Sequence, residues 1–207
     1  GIGDDRHPTR FAVLHQPPGG TLLGHVVFAH AFAEEMNKSR RMVAMQARAL
    51  SRLGYAVLLV DLVGCGDSPG EFGDATWDRW IQDVVQGCGW LRAHDHGKTV
   101  PMTIWGMRAG ALLAAEAARR LGSVQHLLLW QPALSGRNVL RQFLRMRVAA
   151  ELTSGGERVT TDQLRAELGS GRTVHVAGYE ISPGLASGLD AARLGDVPPA
   201  PQVTWLE

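Results

Sequence analysis

Gly106-Met107-Arg108-Ala109-Gly110 is the stretch of this 207-residue chain whose residue types and spacing bear most directly on chemistry. It has the spacing of the nucleophile-elbow pattern G-x-S-x-G, with arginine at the serine position. The apolar run at 102–105 reads as a buried strand, and the Ala/Leu-rich run from Ala111 reads as a helix. Gly106 and Gly110 are structural requirements of such an elbow, because strand and helix nearly touch there and leave no room for a side chain. Arg108 is thereby lifted above the sheet at the start of a helix. A guanidinium, with a pKa above about 12, has no lone pair with which to attack a substrate. It is also a cation at the positive end of a helix dipole, disfavoured by ~0.3–1 kcal/mol unless an anion is near. The position therefore calls for an anionic partner. Two readings stand: an internal ion pair that locks the turn, or a site for an anionic ligand or a partner's acidic tail.

The nearby carboxylates set up the first reading. One of Glu34, Glu35 and Asp67 is expected within salt-bridge reach of Arg108; the alternative reading of Glu34, Glu35, Lys38, Arg40 and Arg41 is the solvated, charged start of a helix. Cys65 is a weak candidate nucleophile, since an adjacent cation would favour thiolate, but its two flanking glycines fit a tight turn better. Ser68 fits a turn residue capping its own loop. The backbone N–H groups of Phe32 and Ala109 are candidates for an oxyanion-type pocket, a geometry that needs no particular side chain. His30 ends a strand at the same edge and fits a structural role. Arg147 falls inside the apolar arc of its own helix and is either a snorkelling side chain or one aimed at a ligand. His94, Asp95 and His96 could be imagined as metal ligands, but with Gly97 and Lys98 following they read as a polar loop, and no metal or cofactor is expected.

The composition narrows the function classes. A formal charge of +1 suggests neither nucleic acid nor a charged membrane surface as partner. No apolar run approaches the ~18 residues of a membrane span. The two cysteines, Cys65 and Cys88, form no C-x-x-C pair and fit a reducing, cytoplasmic setting. The chain opens without an initiating Met, so its native start is expected to be missing.

The remaining elements must hold these residues in place. Strands are expected at 11–15 and 25–30, joined by Pro17-Pro18-Gly19-Gly20 in a hairpin-like turn. A loop over 31–38 should lead into a helix from Ser39, with Met42, Met45, Ala49, Leu50 and Leu53 on its buried face and Gly54 beyond its end. A strand at 55–60, a turn-rich loop at 64–70 and a helix at 75–93 follow, the last with Trp77, Ile81, Val84, Cys88 and Leu91 inward. Another buried strand at 127–130 comes after the elbow unit. Such alternation predicts an α/β fold, a mostly parallel sheet with helices on both faces. Ligands on these sheets bind beyond the carboxyl ends of the strands, where His30, the loop after Asp61 and Arg108 should converge. The alternation lapses at 133–200: a helix at 138–152, a capping box at Thr160-Thr161-Asp162-Gln163, a small strand at 173–176, and a helix opened by Ser182-Pro183. This excursion is expected to form a helical lid over a core at 1–132, with a returning core strand at 201–207.

Together these residues resemble the α/β-hydrolase superfamily. His30 stands at its oxyanion-loop position, Asp61-Leu62-Val63-Gly64-Cys65-Gly66-Asp67-Ser68 matches its D-x-x-G-x-G-x-S loop, and Gly106 to Gly110 matches its elbow. Phe32-Ala33-Glu34-Glu35-Met36-Asn37-Lys38-Ser39-Arg40-Arg41-Met42, Gly73-Asp74-Ala75-Thr76-Trp77-Asp78 and Leu129-Trp130-Gln131-Pro132 are similar to the exosortase A system-associated hydrolases of the second type. The resemblance implies a hydrolase of ester, thioester or acyl bonds, with components of a bacterial exosortase and exopolysaccharide system as partners by family context only. It also implies that the acid and base of a catalytic triad would lie beyond Glu207, so the C-terminal part of the fold is expected to be missing. The alternative is a non-catalytic protein of this fold that binds an anionic ligand or partner through Arg108.

Overall fold

The structure, a computed structural model, describes residues 2–4, 7–95, 99–154, 159–195 and 200–207. His96, Gly97 and Lys98, part of the polar loop expected from the sequence, lie outside the described residues. Two short strands, β1 (Ile2–Asp4) and β2 (His7–Arg10), pair antiparallel at the N-terminus. The main sheet starts with β3 (Ala12–His15) and β4 (Gly24–Ala29), followed by helix α1 (Glu34–Arg52) and strand β5 (Tyr55–Val60). Helix α2 (Trp77–His94), strand β6 (Met102–Met107), helix α3 (Gly110–Leu121) and strand β7 (His126–Trp130) continue the alternation. The chain then runs through α4 (Gly136–Ser154), α5 (Thr161–Gly169), β8 (Val174–Val176), β9 (Tyr179–Ile181) and α6 (Pro183–Ala191), and returns to the sheet as β10 (Gln202–Leu206).

The six-stranded sheet has the order β10-β7-β6-β4-β5-β3. All pairings are parallel except β3 with β5. The expected hairpin-like joint between the first two strands is therefore wrong. Residues 16–23, with a 3-10 turn at Pro18–Gly20, are long enough to carry the chain across one strand position, so β5 sits between β3 and β4.

Both faces of the sheet are covered, as continuous apolar runs such as Val26-Val27-Phe28 require. On one face α1 packs Val43 and Ala47 against Val26, Phe28, Val57 and Trp105. On the other, α2 and α3 cover Val27, Leu58, Ile104 and Leu127. The expected inward residues of α2 are all buried. Gly87, unfavourable in a helix interior on propensity alone, lets α2 approach the sheet: a Cβ there would lie 3.1 Å from Val60 Cγ2.

Two expectations about α1 fail. The helix begins at Glu34, so Glu34 and Glu35 are its acidic first turn rather than loop residues, a placement the helix dipole favours. Its buried residues are Met36, Ser39, Val43, Ala47 and Ser51, whereas Met42, Met45 and Leu53 are exposed. Residues with small side chains on the inner stripe allow close packing on the sheet, and the larger methionines flank it outside. Of the hairpin β8–β9, only the first strand follows from the sequence pattern at 173–176. Ala177 (φ 49°) and Gly178 (φ 86°) turn it with two left-handed residues, the conformation of a two-residue hairpin loop.

Candidate functional site

The elbow is built as its glycines demand. A Cβ on Gly106 would lie 2.6 Å from Ala111 Cα, and one on Gly110 would collide with the Ala29 and His30 carbonyl oxygens. Strand β6, helix α3 and the end of β4 are thus in backbone contact, and the residue between them must turn sharply. Arg108 does so with φ 54°, a left-handed conformation that costs a non-glycine residue ~1–2 kcal/mol. Its backbone is held by three hydrogen bonds: its N–H donates to Trp130 O at 3.1 Å, and its carbonyl accepts from Ala133 N at 3.0 Å and from Ala111 N at 3.1 Å. Ala33 (φ 49°) and Gln131 (φ 42°), just beyond β4 and β7, share the left-handed conformation. Strained non-glycine residues cluster at functional sites, and these three gather at the carboxyl end of the sheet.

Above the elbow lies a cavity of about 200 Å³. Phe32, Ala133, Val139, Phe143 and Met146 give it apolar walls, and Glu34, Glu35, Lys38 and Arg108 give it charge. Phe32 and Phe143 meet edge to face, with ring centroids 5.1 Å apart. Arg108 Nε donates to Glu35 Oε1 at 3.2 Å and Arg108 Nη1 to Gln131 O at 3.3 Å. The side chains of Arg108 and Glu35 are 39% and 49% exposed, so the pair is worth only ~0–1 kcal/mol. Of the three candidate carboxylates, Glu35 is the one that reaches Arg108. Glu34 instead accepts a hydrogen bond from Tyr179 Oη at 3.2 Å, and Asn37 donates to the same hydroxyl at 3.0 Å. Burial, then the bond to Glu34, pushes the Tyr179 phenol above its ordinary value. Asp67 is exposed, and its backbone N–H is bound to Asp61 Oδ2.

Phe32 and Ala109 line this cavity, and their amides find no acceptor among the described residues. The expected meeting of His30, the loop after Asp61 and Arg108 does not occur in one cavity. His30 and Asp61 line a neighbouring cleft beneath α1. His30 is buried, its Nδ1 is 2.7 Å from Ala31 O, and burial holds its imidazole below the ordinary value. Cys65 is buried, and desolvation together with the nearby Asp61 carboxylate pushes its thiol up to about 12, so thiolate is disfavoured there. The expectation that a cation would activate it fails because Arg40, the nearest cation in effect, is outweighed and engages Asp61 itself. Ser68 ties its loop, donating to Asp61 O and accepting from Phe11 N at 2.9 Å. Arg147 does not line the elbow cavity: it donates to His175 O at 2.9 Å and pairs with Glu151.

Sequence reasoning missed Phe143 and Met146 as cavity walls, and Tyr179 as a partner of Glu34. The helical spacing of α4 carried a signal for the first two; nothing local placed Tyr179 opposite α1, 145 residues away from Glu34. Among the described residues no group of three His, Cys, Asp or Glu side chains is arranged for a metal, and no helix is long and apolar enough to cross a membrane.

The Hydrolase_4 family, described as serine aminopeptidase, S33, matches residues 21–180. The chain belongs to this α/β-hydrolase family. Similar folds accompany the match. Est1E from Butyrivibrio proteoclasticus, solved with ferulic acid bound, is 16% identical with a TM-score of 0.68, covering 95% of this chain and 84% of its own. DcsB in complex with its substrate analogue is 16% identical with a TM-score of 0.60, covering 100% and 87%. XC6422 from Xanthomonas campestris, described as an α/β serine hydrolase without lid, is 25% identical with a TM-score of 0.50, covering 58% and 55%. No curated protein matches in sequence.

Proposed function

We propose that this α/β-hydrolase-fold protein binds a small anionic ligand, a carboxylate on an acyl or aryl body, with Arg108 standing where a nucleophilic serine would attack. One observation carries the reading: the residue at the apex of the elbow is a permanent cation at the mouth of an apolar cavity. Its in-chain partner is an exposed carboxylate, so exchanging Glu35 for a ligand carboxylate is nearly neutral in energy. Phe32 and Phe143 would take the apolar body, and the segment 133–200 would serve as a lid. The resemblance to exosortase A system-associated hydrolases supports a cytoplasmic role beside an exopolysaccharide system.

A second reading, hydrolysis of an ester, thioester or acyl bond, is favoured by a different observation. Phe32 and Ala109 line the cavity and their amides have no acceptor among the described residues, as an oxyanion pocket would require. An ester and thioester panel on the wild type and on Arg108→Ala separates the two. The binding reading predicts no turnover from either protein. Turnover by the wild type that is lost in Arg108→Ala overturns it.

A further inference from the structure

The cleft beneath α1 is a second cavity, of about 300 Å³, separate from the elbow. It runs along the sheet surface between α1 and the edge strand β3 with its neighbour β5, walled by Phe28, Val43 and Leu59. The parallel strands β4 and β5 run opposite to α1, the helix that joins them, and the two ends of the cleft carry different chemistry. At the amino end of the parallel strands, His15 pairs in register with Val57 and lies beside Arg48. Arg48 is exposed and has no carboxylate partner among the described residues. At the carboxyl end lies His30. With Nδ1 donating to Ala31 O, a neutral His30 leaves a bare acceptor at Nε2, and that atom is buried without a partner. A buried acceptor left unpaired is destabilising, and a ligand donor would recover that loss.

We infer that this cleft binds a medium-chain carboxylate bearing a hydroxyl at its far end, with the carboxylate on Arg48, the chain along Phe28, Val43 and Leu59, and the hydroxyl donating to His30 Nε2. The spacing fits. Arg40, at the His30 end, and Arg48 are eight residues apart on α1, about 12 Å of helix. The polarity fits as well. Arg40 at the inner end is engaged by Asp61 at 3.2 Å, which leaves Arg48 as the cation for a carboxylate and makes the His30 end suit a neutral donor. This assignment is independent of the ligand at Arg108.

The test is calorimetric titration of 10-hydroxydecanoate into Arg108→Ala protein, which removes the elbow cation and leaves the cleft. One saturable site is expected, weakened about tenfold by adding Arg48→Glu. Decanoate should bind about threefold more weakly than 10-hydroxydecanoate, a difference that His30→Phe erases. Arg48 is on the surface, so its variant folds whether or not the His30 variant does. Absence of saturable binding, or binding indifferent to Arg48→Glu, overturns the site. Equal affinity for the two acids overturns the role given to His30.

Discussion

Arg108 Nε donates to Glu35 Oε1 across 3.2 Å, and that bond joins the apex of the elbow to the first turn of α1. The pair explains how a cation is tolerated at the amino end of α3. A carboxylate on a neighbouring helix supplies the anion, while the exposure of both groups keeps the pair weak enough to exchange.

The backbone at the elbow should be more sensitive than its side chain. Gly110→Ala places a methyl group against the Ala29 and His30 carbonyls and is expected to cost at least ~2 kcal/mol in urea denaturation. Arg108→Gly removes the ion pair but relieves a left-handed arginine, so its stability should stay within about 1 kcal/mol of the wild type.

Burial of neutral His30 sets a pH dependence. Its folded-state pKa is lowered, so below about pH 6.5 the unfolded chain takes up a proton that the folded chain refuses. The contribution is complete above that value and is lost as pH falls through it. Stability to urea should therefore be lower at about pH 5 than at about pH 7.5, with a shallower slope in His30→Phe. His15 and His126 are shifted in the same direction, so the slope should not vanish.

Cys65 and Cys88 have thiols pushed up to about 12. Both should resist iodoacetamide in the folded protein at about pH 8 and react once it is denatured. Rapid alkylation of native Cys65, read by peptide mass spectrometry, would restore it as a nucleophile.

Most of the fold was legible because its elements are long and strongly periodic. Strand β5, the inner face of α2, the elbow glycines, the capping box at Thr160 and the Ser182 cap all follow from local chemistry. The buried face of α1 was not legible. Its inner stripe mixes Ser39, Ala47 and Ser51 with two larger apolar residues, so Met42 and Met45 outweighed it in any hydrophobic count. The site was half legible. Arg108 and Glu35 lie near recognisable motifs, but the split between the elbow cavity and the cleft holding His30 depends on how α1 docks.

Tyr179 latches the β8–β9 hairpin to α1 through Glu34 and Asn37. Tyr179→Phe removes those bonds and keeps the ring packing on Phe72 (centroids 4.9 Å apart), so it should cost about 1 kcal/mol locally. Hydrogen exchange should speed up in Val174–Val176 and Tyr179–Ile181 and stay unchanged in β4 and β6.

The charge at the elbow is tested most directly by titrating 3-phenylpropionate into the wild type, Glu35→Gln and Arg108→Gln. Removing the competing carboxylate should tighten binding about threefold or more, and removing the guanidinium should weaken it at least about tenfold. Identical affinities in all three proteins, or no saturable binding in any, would contradict the assignment of Arg108 as the anion-binding group.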